Sequence, residues 1–161
     1  MKKLILISGS PCVGKTTVGQ HLFEQYNNSA YLDGDWCWCV NPFSVKDTRI
    51  RNGDKSMSFV LSNYLSSEFD YVFFSSVVLT DPKIRESILN DITATDYKVI
   101  GFTLTCSDET LAKRHRQRGD HGAPNFHWLH LPPYPTDIVI NTDNLSVSQI
   151  AEKLRSHIDG E

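Results

Sequence analysis

The residues whose types and spacing most directly predict chemistry lie at 9–16, where the chain reads Gly-Ser-Pro-Cys-Val-Gly-Lys-Thr. This stretch fits the pattern G-x-x-x-x-G-K-[ST] at every fixed position. Gly9 and Gly14 leave room for successive backbone N–H groups to face an anion at a helix N-terminus, where the helix dipole also favours negative charge. Lys15 would reach the β- and γ-phosphates, and the Thr16 hydroxyl would bind Mg²⁺. The loop therefore predicts a site for a nucleotide polyphosphate.

The flanking residues supply the strand and the helix that such a loop needs. Residues 3–8 form a short apolar run, and residues 16–26 carry helical spacing at Val18, Leu22 and Tyr26. A glycine turn that carries Lys-Thr by accident would not have both flanking elements as well. We therefore interpret residues 9–16 as a phosphate-binding loop.

Two carboxylates, Asp33 and Asp35, follow a second apolar stretch at residues 30–32. In open α/β sheets, ligands bind beyond the carboxyl ends of the strands, so both should face the same crevice as the loop. The alternative is an Asx turn that caps the next segment. The phosphate loop upstream favours the functional interpretation.

Residues 36–54 show no regular pattern, and aromatic and cationic side chains such as Trp36, Phe43, Arg49 and Arg51 are interleaved there. Aromatic faces with a few cations suit the wall of a pocket for a small polar molecule. A flap packed by its own aromatic side chains is the other interpretation. If the segment is a pocket wall, Arg49 and Arg51 would bind the substrate.

Positive charge is densest near the end of a predicted helix that stops at Gly119. Its cations are either a solvated helix face or a clamp on nucleotide phosphates, because Arg stabilises developing phosphoryl charge. They are Lys113, Arg114, Arg116 and Arg118. Residues 119–136, rich in proline and histidine, fit no regular element, and a loop of this length is typical of a functional lid.

The remaining pattern predicts an α/β protein built on a five-stranded parallel sheet with helices on both faces, in a single domain spanning residues 1–161. The apolar run 71–74 has almost no polar interruption and should form a central strand. Ser146 and Gln149 fit a capping box for the last helix. The other predicted strands and helices are strands at 98–104 and 137–140, a helix at 56–69, a helix that begins near Pro82 and a helix that begins after Ser107.

Composition limits the partners and the setting. The 161 residues carry a net charge of −3 with both signs spread along the chain, which argues against nucleic acid as a partner. The four cysteines are too few and too irregularly spaced for a disulfide framework, so the cytoplasm is the expected location. No apolar run has the length of a membrane span, and we expect no membrane association.

The order of phosphate loop, Leu-Asp-Gly-Asp at 32–35, basic helix and proline-containing lid resembles the P-loop small-molecule kinases related to shikimate kinase, gluconate kinase and chloramphenicol phosphotransferase. The resemblance spans nearly the whole chain and implies the P-loop fold of the nucleoside-monophosphate-kinase type, with ATP and Mg²⁺ as cofactors. It implies that Asp33 serves the metal shell and Asp35 the acceptor hydroxyl. It also implies that residues 141–145 lie near the adenine, and that Ser75 and Ser76 with Arg85 correspond to a gluconate-kinase stretch.

The predicted site residues fall into four groups. The nucleotide-binding residues are Gly9, Ser10, Pro11, Cys12, Val13, Gly14, Lys15, Thr16, Thr17, Arg114 and Arg118. The catalytic residues are Lys15, Asp35 and Arg118, the substrate-binding residues are Asp33, Asp35, Arg49, Arg51 and Ser76, and the metal-binding residues are Thr16 and Asp33.

Two departures from the family pattern bear on function. The third strand ends in serine where many P-loop proteins hold Mg²⁺ with an aspartate, and the segment 120–136 contains no arginine. The first hypothesis is transfer of the γ-phosphoryl group of ATP to a hydroxyl of a small metabolite or antibiotic. The alternatives are a nucleoside monophosphate kinase and an ATP-binding module with little turnover. Adjacent carboxylates favour a neutral or hydroxylated acceptor, a conclusion that Arg49, Arg51 or Arg85 would reverse.

Overall fold

Five strands alternate with five α-helices in the computed structural model, which describes residues 1–44 and 46–160. They are β1 (Lys2–Gly9), α1 (Lys15–Gln25), β2 (Ser29–Asp33), α2 (Asn52–Ser66), β3 (Tyr71–Ser75), α3 (Pro82–Asn90), β4 (Tyr97–Thr105), α4 (Asp108–Arg118), β5 (Ile138–Asn141) and α5 (Val147–Gly160). Val45, in the segment predicted to be irregular, and Glu161, at the end of the predicted domain, lie outside the described residues.

All five strands are parallel, in the order β2-β3-β1-β4-β5. The predicted fold class is therefore confirmed. β1 occupies the middle of the sheet, between β3 and β4, and its residues 4–7 are fully buried. β3 is an interior strand between β1 and β2. It is buried, as predicted for a central strand, but it lies next to the middle strand of the sheet.

The sheet separates two apolar layers, because successive side chains of a strand point to opposite faces. On one face Ile5 and Ile7 pack with residues of α1 and α5, including Leu22 and Leu154. On the other face Leu4 and Leu6 pack with α2 and α3. Burying one such side chain stabilises the fold by about 1.5–3 kcal/mol, so these two layers fix the sheet that carries the phosphate loop.

The helix ends follow the sequence signals closely. The Asp81 side chain accepts hydrogen bonds from the backbone N–H groups of Lys83 and Ile84, and Pro82 occupies the first turn of α3. Ser146 and Gln149 form the predicted reciprocal capping box at the start of α5. These caps satisfy N–H groups that have no partner within the helix.

The segment 36–54 is more ordered than its sequence indicates. It contains most of a 3₁₀ turn at Gly34–Trp38 and a second one at Thr48–Arg51, and α2 begins at Asn52, four residues before the predicted start. Asp47 caps the second turn by accepting a hydrogen bond from the Arg49 backbone N–H, and the turn leads directly into α2. The capping aspartate is a local signal that hydrophobic periodicity does not detect.

A buried ion pair joins α3 to the residue that precedes β5. Arg85 donates from Nη1 to Asp137 Oδ2 at 2.9 Å and from Nη2 to Oδ1 at 2.7 Å. Thr103 Oγ1 also donates to Asp137 at 2.8 Å, and the Arg85 guanidinium lies 3.9 Å from the centre of the Tyr134 ring. The side chains of Arg85 and Asp137 are 2% and 0% exposed. Arg85 therefore has a structural role. This corrects the expectation that Arg85 could bind an acceptor.

Replacing Arg85 with alanine should destabilise the fold by about 3–5 kcal/mol, because the buried Asp137 carboxylate would lose its counter-ion. Urea unfolding of wild type and Arg85→Ala measures this loss. Arg49→Ala is the matched control, since it removes an arginine–aspartate pair whose arginine is 79% exposed and should change stability far less. A loss no larger than that of the control would contradict a buried structural pair.

Candidate functional site

The phosphate loop leaves β1 at Gly9 and enters α1 at Gly14. Gly9 has φ 138° and Gly14 has φ 102°, so both lie in the region of backbone conformation that favours glycine. A Cβ at Gly9 would also meet the Leu104 carbonyl oxygen at 2.5 Å. Val13 is fully buried and anchors the loop to the core. The loop therefore presents its backbone to a cavity at the N-terminus of α1.

This cavity has a volume of about 810 Å³ and lies at the carboxyl ends of β2 and β3. The volume is in the range of small-molecule sites. Three groups of residues line it. They are residues 11–18 of the loop and α1; Asp33, Asp35, Ser75, Ser76 and Val77 at one end, which we call the carboxylate end; and Arg114, Gln117, Arg118, Leu145, Ser146, Val147 and Ile150 at the other.

Most of the predicted site residues meet in this cavity. The exceptions in the loop are Gly9 and Ser10, which line a separate cavity of about 180 Å³ behind it. The predicted residues that line the main cavity are Pro11, Cys12, Val13, Gly14, Lys15, Thr16, Thr17, Asp33, Asp35, Ser76, Arg114 and Arg118.

Arg49 and Arg51 do not line the main cavity, contrary to the prediction that they bind the substrate. Arg49 forms an ion pair with Asp47, with Nη2 2.7 Å from Oδ2. Arg51 Nη1 lies 3.3 Å from Asp54 Oδ2. The Arg51 guanidinium also lies 5.7 Å from the centre of the Trp38 ring. Each arginine pairs with an aspartate two or three residues away and lies outside the cavity.

Lys15 is the cation at the centre of the site. Its Nζ donates a hydrogen bond to the Ser10 carbonyl oxygen at 2.7 Å. Burial lowers its pKa from 10.5 to about 8, although the carboxylates of Asp35 and Asp33 act in the opposite direction. The ammonium is thus held in place but poorly solvated, and an entering polyanion would restore the charge balance.

Asp33 is buried and held by a network of hydroxyl and backbone donors. Thr16 Oγ1 donates to Asp33 Oδ2 at 2.6 Å, and the Asp35 backbone N–H donates to Asp33 Oδ1 at 2.9 Å. Tyr31 OH lies 3.4 Å from Asp33 Oδ2 and shares a 2.7 Å hydrogen bond with Ser75 Oγ. Burial raises the pKa of Tyr31, so its hydroxyl stays protonated as a donor. The network fixes the carboxylate beside the Thr16 hydroxyl.

Tyr31 is a site residue that the sequence analysis missed. A Cβ at Gly19 would lie 2.7 Å from Tyr31 Cε2, so the absence of a side chain on α1 makes room for the ring. Tyr31 lies two residues before Asp33, on the same face of β2. This spacing of two residues was the signal in the sequence that Tyr31 lies near Asp33. The hydrogen bond to Ser75 could not be predicted in this way, because it depends on the pairing of β2 with β3.

Asp35 differs from Asp33 in its surroundings. Its carboxylate is exposed to the cavity, whereas Asp33 is 5% exposed. Partial burial and then the nearby charge of Asp33 raise the pKa of Asp35, while Lys15 and Arg118 lower it. A raised pKa and an open position are the properties of a carboxylate that can accept a proton from a bound molecule.

The basic face of α4 divides into two roles. Arg114 ties the loop to the residue that follows β5, because Nη1 donates to the Val13 carbonyl at 3.2 Å and Nη2 to the Thr142 carbonyl at 3.1 Å. Arg118 is 61% exposed and less constrained, with Nε 3.3 Å from Asp120 and Nη1 3.5 Å from Cys12 Sγ. Arg118 is therefore the arginine of the cavity that is freer to move.

Residues 119–136 contain no helix or strand, as expected, but they do not line the main cavity. Residues 128 and 129 and residues 131–134 line the smaller cavity behind the loop, and His130 Nε2 lies 2.7 Å from Asp108 Oδ1. Phe126 and Leu129 pack against the core. The segment thus lies beside the smaller cavity behind the loop, and its closure as a lid remains a prediction.

A family profile described as AAA domain matches residues 5–125, which is more than half of the chain. The chain belongs to this family. The match covers the phosphate loop, the carboxylate end and the basic helix α4. No curated protein sequence matches the chain.

Solved structures share the fold over nearly the whole chain. A sugar kinase from Janibacter sp. has a TM-score of 0.73 at 15% identity, with 99% of this chain and 95% of that chain covered. The Deinococcus radiodurans tunicamycin resistance protein has a TM-score of 0.73 at 20% identity, with 98% and 96% covered. The APS kinase of Mycobacterium tuberculosis, in complex with AMPPNP and APS, has a TM-score of 0.67 at 13% identity, with 98% of each chain covered. The resemblance to the P-loop kinases is therefore confirmed as a shared fold.

Two further observations concern the described part of the chain. No helix in it is both long and apolar enough to cross a membrane. Residues 1–44 and 46–160 also hold no group of three or more His, Cys, Asp or Glu side chains arranged around a common metal position.

We predict that one lysine of the free protein titrates near pH 8, because burial lowers the pKa of Lys15. The unfolded chain then binds more protons than the folded chain between about pH 8 and 10.5, so this group makes the free energy of unfolding rise with pH across that window. A bound polyphosphate should move the pKa upward. NMR titration of the lysine Cε resonances measures it, and Lys15→Met assigns the signal. Titration of Lys15 near 10.5 in the free protein would contradict the buried position.

Proposed function

We propose that this chain is an ATP-dependent phosphotransferase that moves the γ-phosphoryl group to a hydroxyl of a small metabolite or antibiotic. The observation that carries the proposal is the open carboxylate of Asp35 in the same cavity as Lys15 and the Thr16 hydroxyl. Such a cavity can hold a polyphosphate and place a base beside an alcohol. The fold shared with a sugar kinase and with an APS kinase that binds AMPPNP supports the same conclusion.

The loop end of the cavity suits ATP. The backbone N–H groups of the loop and the N-terminus of α1 would hold the phosphates, with Lys15 and Arg118 as counter-charges. Leu145, Val147 and Ile150 give the far end an apolar wall, and we assign this wall to the adenine. Arg114 would position both parts, because it already joins Val13 to Thr142.

The donor set beside the loop fits Mg²⁺. Thr16 and Asp33 offer hard oxygen atoms 2.6 Å apart, of the kind that magnesium binds directly or through water. When bound, the ion would neutralise charge on the β- and γ-phosphates. The chain's contribution is to hold these two oxygens in place, and the hydrogen bond from the Asp35 backbone N–H and the contact with Tyr31 OH do so.

Asp35 is the proposed general base. Phosphoryl transfer depends mainly on positioning and charge stabilisation, but an acceptor hydroxyl still needs a carboxylate to align it and take its proton. Partial burial and the nearby charge of Asp33 raise the pKa of Asp35, which makes its carboxylate a stronger base. Its backbone is held by the hydrogen bond to Asp33, while the carboxylate faces the cavity.

An ATP-binding module with little turnover is the second candidate, and Ser75 favours it. β3 ends in this serine, where many P-loop enzymes place a metal-binding aspartate, so the site has one carboxylate fewer for Mg²⁺. The two candidates share nucleotide binding and differ in phosphoryl transfer. An experiment on Asp35 separates them.

We expect Asp35→Asn to bind Mg·ATP as the wild type does but to transfer phosphate about 10²- to 10⁴-fold more slowly, because removal of a general base lowers the rate by this much. Thermal unfolding with and without Mg·ATP measures binding, since ligand at about 100 times its dissociation constant adds about 2.7 kcal/mol of stability. Release of ADP in the presence of a pool of hydroxyl compounds measures transfer.

Lys15→Ala is the contrasting variant and should lose most of the stabilisation by Mg·ATP. Wild-type turnover in Asp35→Asn would remove the proposed base. Absence of turnover in the wild type, with ATP bound, would favour the binding module. Absence of any stabilisation by Mg·ATP would contradict nucleotide binding itself.

A further inference from the structure

We infer that the phosphoryl acceptor is a hydroxyl compound without an anionic group where it binds, either uncharged or carrying an amine. This inference rests on the proposed function and narrows its substrate class. It excludes nucleoside monophosphates, sugar acids and sugar phosphates. The reasons lie in the charges, the backbone donors and the exposed surfaces at the carboxylate end of the cavity.

The two carboxylates of the cavity lie together, although Lys15 and Arg118 are close enough to act on Asp35. Asp33 and Asp35 lie at the carboxylate end with the hydroxyls of Ser75 and Ser76. The cationic side chains that line the cavity within the described ranges are Lys15, Arg114 and Arg118, which belong to the loop and to α4. An anionic acceptor beside Asp35 would meet the carboxylates of Asp33 and Asp35, which repel it, while the nearby cations are the ones that the phosphates of ATP would occupy.

The arginines that would reverse this conclusion are engaged elsewhere. Arg85 is buried in its bidentate pair with Asp137, and Arg49 and Arg51 pair with aspartates outside the cavity. Recognition of phosphate or carboxylate relies on such guanidinium groups, which donate two parallel hydrogen bonds. None of the three lines the carboxylate end.

Backbone N–H groups can also bind anions, but three of those near this end already donate to other acceptors. The Ser76 N–H donates to the Ile7 carbonyl at 3.3 Å, and the Val78 N–H donates to Ser76 Oγ at 3.3 Å. The Asp35 N–H donates to Asp33. These three contacts reduce the number of backbone donors that could form a concavity for an anion here.

What remains at this end favours a polyol or an amino alcohol. The carboxylate of Asp35 can accept hydrogen bonds from hydroxyl or ammonium groups, and the two serines add hydroxyls. Trp36 follows Asp35 but does not line the cavity; it is 54% exposed and packs edge-on against Tyr31, with ring centres 5.5 Å apart. Its exposed ring can cover the apolar face of a sugar ring or contact an ammonium group.

The test is transfer of label from γ-³²P-ATP with Mg²⁺ to matched acceptors. The defined probes are glucose, glucosamine, gluconate and glucose 6-phosphate, together with thymidine and its monophosphate. A small-molecule extract of bacterial cells, divided on an anion-exchange resin, extends the test to other acceptors. We expect labelled products from uncharged or amine-bearing compounds and from the unretained fraction, at least tenfold above the retained fraction.

Preferential labelling of the anionic probes or of the retained fraction would overturn the inference and leave the proposed phosphotransferase in place. Absence of label in every arm, with Mg·ATP bound, would remove both. The Arg49→Ala and Arg51→Ala variants give a second measurement on the best acceptor. The inference requires that each substitution changes the KM for the acceptor by less than twofold. A tenfold rise in this KM in either variant would show that the arginine binds the acceptor and would overturn the inference.

Discussion

The buried carboxylate of Asp33 is the constraint on which the site depends. A charge at this depth is tolerable only with several hydrogen-bond donors, and Thr16, Tyr31 and the Asp35 backbone supply them. These partners come from α1, from β2 and from the turn after β2. The network therefore also fixes the phosphate loop relative to the carboxylate end of the cavity. Ser75, at the end of β3, supports the network through Tyr31 and adds no charge of its own. In the proposed function, Asp33 is then the one carboxylate that serves the metal.

This arrangement separates binding from chemistry. The loop end combines Lys15, Arg118 and backbone N–H groups, all suited to a polyanion, whereas the carboxylate end combines two aspartates with hydroxyls. Burial keeps the pKa of Lys15 low until an anion arrives, and partial burial raises the pKa of Asp35. In the proposed function, the same desolvation prepares Lys15 to bind phosphate and Asp35 to accept a proton.

Sequence patterns predicted what is locally encoded. The phosphate loop, the strand and helix order and the capping box of α5 follow from short-range spacing, and the structure confirms the fold. Side-chain pairing over distance was not predictable. Arg85 pairs with Asp137, which lies 52 residues away in the sequence, and Tyr31 pairs with Ser75, which lies 44 residues away. The neighbouring aspartates of Arg49 and Arg51 were not considered as partners, and residues 119–136 were interpreted as a lid from the length of the loop and its place after the basic helix.

The most direct test of the role of Asp33 is the Mg²⁺ dependence of ATP binding, measured by calorimetry in wild type and in Asp33→Asn. Because Asp33 is proposed to serve the metal, the variant should need about 10–100-fold more Mg²⁺ for half-maximal tightening of ATP binding, with metal-free ATP affinity little changed. Adding Ser75→Asp to Asp33→Asn should restore part of the loss by placing a carboxylate at the end of β3. An unchanged Mg²⁺ requirement in folded Asp33→Asn would contradict the account.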